Sequence, residues 1–64
     1  MNSTGRNIRA LREDRGLTQL QFGKSVGVTL TTVSGWETRE VPPRASALKI
    51  ISETYGISVD DIIS

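Results

Sequence analysis

The stretch that most constrains this chain runs from Leu17 to Thr38, LTQLQFGKSVGVTLTTVSGWET, where two short helical patterns meet across a glycine. Thr18 is a good N-cap, its hydroxyl placed to accept a free backbone N–H of the first turn. Gln21, three residues on, completes a T-x-x-Q capping box. Phe22 and Val26 recur at i, i+4 as one apolar stripe, and Gly23 on that face leaves room for another helix to approach. Gly27 follows the last periodic residue, where a left-handed C-cap glycine belongs. A second helix starts at once with Thr29 as its cap. Its Val33 and Trp36 face inward, and Leu30, Thr31, Ser34 and Gly35 face outward. The rest of the chain reads as support for this unit.

Composition narrows the chemistry. Sixty-four residues make one small domain, which buries only roughly 60% of its unfolded surface. With no cysteine for a disulfide, the core must be helix packing alone. No Cys and no His also means no usual zinc or copper ligand, no thiol nucleophile and no imidazole base. Nor is there a phosphate-binding glycine loop, or chain enough to enclose a pocket. An enzyme, a metal site and a cofactor are not expected. No apolar run approaches the roughly 20 residues that span a bilayer, and no signal-peptide core appears. A soluble, cytoplasmic protein with no membrane partner is the expectation.

The net charge of +1 hides an asymmetry. Residues 1–49 hold all eight basic side chains against four acids, a balance of +4. Residues 50–64 hold Glu53, Asp60 and Asp61 and no base, a balance of −3. Such a distribution favours one positive surface for phosphates, with an acidic end turned away. Ordinary solvated charges are the plainer reading.

Residues 1–4 are polar and expected to fray, with Ser3 or Thr4 capping a first helix over about Gly5–Arg15. Ile8 and Leu11 form its core stripe. Gly16 ends it, and Leu17 tucks in behind. Arg6, Arg9, Arg12 and Arg15 drift across its surface, and Arg15 complements the negative end of the helix dipole. A loop with Pro42–Pro43 leads to a fourth helix over about Arg44–Tyr55, with Ala45, Leu48, Ile51, Ser52 and Tyr55 inward. Gly56 stops it. Ser58 opens a last short helix with an S-x-x-D pattern to Asp61. No linker or repeat is visible, so residues 1–64 read as a single domain around a unit at about 18–38.

Helix, glycine turn, helix is the pattern whose second helix enters the DNA major groove. The run G-L-T-Q…F-G…V-G-V-T…V-S-G-W-E resembles the phage repressor and Cro (XRE-type) family of bacterial DNA-binding domains. The likeness extends from about Gly5 to Ile63, including the closing G-I-S-V-D-D-I. It implies an all-α, five-helix, lambda-repressor-like helix-turn-helix domain whose partner is double-stranded DNA.

The resemblance also implies roles. Leu30, Thr31, Ser34 and Gly35 stand where the family meets base edges. Thr31 and Ser34 can donate or accept, and Leu30 can touch a thymine methyl. The family often has Arg, Lys or Gln where this chain has Leu30 and Gly35. Few bidentate contacts and some reading of DNA shape follow, with Gly35 letting the backbone approach the groove. Gln19 matches a glutamine that bonds a phosphate and a base or neighbouring side chain. Thr29, Thr32 and Thr38 can position phosphates near helix ends, although capping explains Thr29 equally well. Arg39 and Arg44 flank the proline loop, where the family meets a phosphate or the adjacent minor groove; solvated arginines are the alternative. Glu37 is implied to pair with Arg12 and to be architectural. Trp36 reads as core.

Leu20 and Ile50, with Ile57, Ile62 and Ile63, offer an apolar surface for a second copy; scattered exposed apolar residues of no special role are the alternative. The family often reads two half-sites about 34–36 Å apart as a homodimer. The expectation is a DNA-binding transcriptional regulator, a repressor that dimerises at least on DNA. The alternative is an antitoxin-like protein-interaction module on the same fold.

Overall fold

The computed structural model describes residues 3–64. Five helices follow one another: α1 Thr4–Asp14, α2 Gln19–Val26, α3 Leu30–Thr38, α4 Ala45–Tyr55 and α5 Val59–Ile63. No strand forms among the described residues. The all-α, five-helix order expected from the sequence is the one observed.

The helix ends have local causes. Thr18 Oγ1 accepts the Gln21 N–H at 3.1 Å while Gln21 Oε1 accepts the Thr18 N–H at 2.9 Å. Thr29 and Ser58 each accept an N–H three residues on, at 3.1 Å. Gly27 sits at φ 77°, a left-handed conformation that costs an ordinary residue about 1–2 kcal/mol. The Val28 N–H then returns to the Gly23 carbonyl at 2.9 Å and closes the turn. Gly16 and Gly56 end α1 and α4 in the same conformation. In all three cases the next residue, Leu17, Val28 or Ile57, packs against the core.

The start of α1 departs from expectation. Thr4 is buried inside the first turn, and Ser3 holds the N-cap position without a side-chain capping bond. Its hydroxyl donates instead to the Ser64 carbonyl. The fraying expected at residues 1 and 2 lies outside the described residues.

The core takes Ile8 and Leu11 from α1, Phe22 and Val26 from α2, Val33 and Trp36 from α3, Ile51 from α4 and Ile62 from α5. Fully burying one such side chain is worth about 1.5–3 kcal/mol, a large share of the 5–15 kcal/mol that holds a typical domain. Helix α3 rests on α1 and α2, while α5 leans on α1 and α4. Asn7 Nδ2 on α1 donates to the Ile62 carbonyl at 2.9 Å, capping an end of α5 that its own helix cannot satisfy.

Two apolar assignments are corrected. Ala45, expected inward, is exposed; Ala47 packs against the core instead, beside Leu48, which faces inward as expected. Helix α4 begins one residue later than expected, after Arg44, and Ala45 stands on its solvent side. Ile62 is 1% exposed and belongs to the core rather than to an outer apolar surface. Leu20, Ile50 and Ile63 do stay exposed, and Ile57 is half-buried.

Candidate nucleic-acid interface

The platform behind α3 is polar at one point. The Arg12 guanidinium donates to Glu37 through Nε at 2.8 Å and Nη2 at 2.9 Å, a two-pronged contact. Its Nη1 donates to the Leu17 carbonyl at 2.8 Å. Gln19 Nε2 gives Glu37 Oε1 a further bond at 3.1 Å. The Glu37 side chain is only 2% exposed and that of Arg12 12%. Among the described residues no buried side-chain polar atom lacks a partner. Hydrogen bonding to Glu37, helped by the charges of Glu37 and Glu13, raises the Arg12 pKa above the ordinary arginine value, against the opposing effect of burial. One cluster thus fastens α1, the start of α2 and the end of α3.

With α1 and α2 behind it, α3 turns its other side outward. Leu30 is 45% exposed, Thr31 is exposed and Ser34 is half-exposed. Thr38 is exposed, but its hydroxyl donates to the Ser34 carbonyl at 2.7 Å. Thr29 caps α3 and its oxygen stands 2.9 Å from the Thr32 hydroxyl. Thr32 does not join the outer face; it is half-buried on the flank, over a groove lined by Val28, Trp36, Val41, Arg44 and Ile50. Arg39 caps the C-terminal end of α3, and Arg44 stands at the N-cap of α4.

Gly35 is the clearest correction. Expected as an open strip for close backbone approach, it is buried, covered by Arg39 and Val41. Val41 itself is 45% exposed and was not among the sequence candidates. Also missing from those candidates is the setting of Tyr55, whose ring stacks on Phe22 at 5.4 Å and lies under the Arg15 guanidinium at 5.0 Å. Its hydroxyl meets that of Ser25. Helical spacing marked Tyr55 as inward-facing, and no local signal names partners 30 and 40 residues away.

Most basic side chains among the described residues form no ion pair. Among the described residues the ion pairs are Arg9–Glu13 and Arg12–Glu37. Arg6, Lys24, Arg39, Arg44 and Lys49 are exposed and take part in neither.

A capped helix, a left-handed glycine turn and a second helix with its outer face open define a helix-turn-helix domain of the repressor type. The chain belongs to the helix-turn-helix family, whose model matches residues 8–62. It is 33% identical to the P22 c2 repressor, solved in complex with synthetic operator 9T in the presence of Tl+. That likeness has a TM-score of 0.86 and covers 95% of this chain and 92% of the repressor chain. Over 57 residues, 89% of its length, it is 32% identical to the HTH-type transcriptional activator BcrR of Enterococcus faecalis. Over 59 residues, 92% of its length, it is 32% identical to antitoxin PezA of Streptococcus pneumoniae serotype 4. The chain spans only 28% and 37% of those two curated relatives. No described helix is long and apolar enough to cross a membrane.

Proposed function

We propose that residues 1–64 act as one DNA-binding domain that recognises a specific double-stranded sequence, and that its role is transcriptional regulation, as a repressor. The observation that carries this is the exposed polar face of α3, held rigid from behind by the buried Arg12–Glu37–Gln19 cluster. Thr31 and Ser34 meet base edges in the major groove, and Leu30 meets a thymine methyl. Gln19, Thr29, Thr32, Thr38 and Arg44 set the register against sugar and phosphate, with exposed cations supplying the sequence-independent attraction. The reading is supported by 33% identity to a repressor solved on operator DNA.

Two copies would sit on successive half-sites about 34–36 Å apart. One domain covers too little DNA, roughly 600–1,000 Å², to be highly selective alone. A binding role in the cytoplasm, with no catalysis, accords with a chain that has neither His nor Cys.

Selection of bound duplexes from a random pool tests the proposal. Enrichment of a short inverted repeat, with affinity falling steeply as salt rises, is the expected result. A second reading has its own support: the likeness to an antitoxin, and the exposed Val41 and Ile50 beside the groove on the flank of α3. Under that reading no duplex is enriched even at low salt.

A further inference from the structure

The outer face of α3 has no long polar side chain of its own, because Leu30, Thr31 and Ser34 are short or apolar and position 35 is glycine. Yet Gly35 is not open. A methyl group built on it would stand 3.0 Å from Nη2 of Arg39 and 3.7 Å from Cζ of Arg39 and from Cγ2 of Val41. The Arg39 side chain therefore doubles back by a turn, and its charged head lies level with residue 35. Helical side chains lean toward the N-terminus by default, and the missing side chain at position 35 opens the seat. The backbone around the seat is pinned as well, since the N–H groups of Arg39 and Val41 both return to the Gly35 carbonyl at 3.1 Å. No ion pair among the described residues uses Arg39.

We infer that Arg39 is a base-reading residue rather than a phosphate clamp, presenting its paired N–H donors from the seat over Gly35 to O6 and N7 of a guanine beside the base pair met by Ser34. Guanine is the base with two acceptors on its major-groove edge; adenine pairs an acceptor with a donor, and thymine pairs one with a methyl group. The planar fork fits two acceptors, where an ammonium is a single point charge. Arg39 thus supplies from the helix end the long donor that position 35 lacks. This inference rests on the DNA-binding reading above.

The test is duplex selection with the wild type, then affinities of Arg39→Ala on the winning site and its single-base changes. The wild type is expected to demand guanine at one position per half-site, by about 5- to 150-fold. Arg39→Ala removes the donors and loses that preference, while discrimination at the other positions stays. A guanine preference retained by Arg39→Ala, or a loss of affinity uniform across sequences, overturns the inference alone. A wild type that enriches no duplex overturns this inference and the DNA-binding reading together.

Discussion

Gly5 of α1 stands in direct backbone contact with Trp36 of α3: a methyl group built on Gly5 would lie 1.9 Å from the Trp36 carbonyl oxygen and 3.0 Å from its carbon. The two helices touch through main chain, with no flexible side chain between them to yield. Two turns further along α1, Arg12 reaches the residue next to Trp36, Glu37, in a two-pronged contact. The position of α3 is therefore set twice against α1, once by shape and once by charge.

Gly5→Ala should be the most damaging small substitution in the chain. Overpacking costs about 1–3 kcal/mol where side chains can shift, and backbone on both sides puts this one at the upper end or beyond. Urea unfolding should show a loss of about 3 kcal/mol, and DNA affinity should fall as α3 is pushed out. A near-wild-type midpoint would mean that α1 and α3 lie further apart than described.

Glu37→Ala would strand the Arg12 guanidinium, whose side chain is 12% exposed, and free Gln19 from its partner. Removing one member of such a pair costs about 3–5 kcal/mol. Chemical unfolding should reveal most of that loss, and Glu37→Gln, which keeps an acceptor, should recover part of it. A change under about 0.5 kcal/mol, the range of ordinary surface substitutions, would show that the pair does not hold α3 in place.

Thr31→Ala and Ser34→Ala should separate recognition from folding. Neither side chain belongs to the core cluster; the Ser34 group that accepts from Thr38 is its backbone carbonyl, which the substitution leaves in place. Melting temperatures should hold while binding to the selected site weakens by about 1–3 kcal/mol per lost base contact. Competition with single-base variants of that site measures this directly.

Glu40 is the only non-glycine with positive φ among the described residues, at 54°. Its left-handed backbone costs about 1–2 kcal/mol, and a glycine there returns about 0.4–1 kcal/mol of that as extra freedom of the unfolded chain. Glu40→Gly should therefore raise stability by about 0.5–1 kcal/mol in thermal melts. It also removes a negative charge next to Arg39, so DNA affinity should rise, more at low salt than at high salt.

Features that rest on contacts within a few residues are legible from the amino-acid order. The Thr18–Gln21 box, the Thr29 and Ser58 caps and the left-handed closes at Gly16, Gly27 and Gly56 all bond groups at most five positions apart, so composition and spacing suffice to place them. Helical period placed Ile8, Phe22, Val33, Trp36 and Ile51 in the core for the same reason. The Arg12–Glu37 pair spans 25 residues and was legible only through the likeness to a family. Rotation and approach are set by packing. Ala45 faces solvent and Ala47 does not, because neighbours on other elements fix the angle of α4. Gly5 meets Trp36 because two helices distant in sequence cross there. Gly35, outward by helical spacing, is covered because Arg39, four residues on, folds back over it; here the partner is near in sequence, and only the course of its side chain had to be seen. Ala45 and Gly5 turn on how whole elements are set against one another. Local propensity carries no such information; packing does.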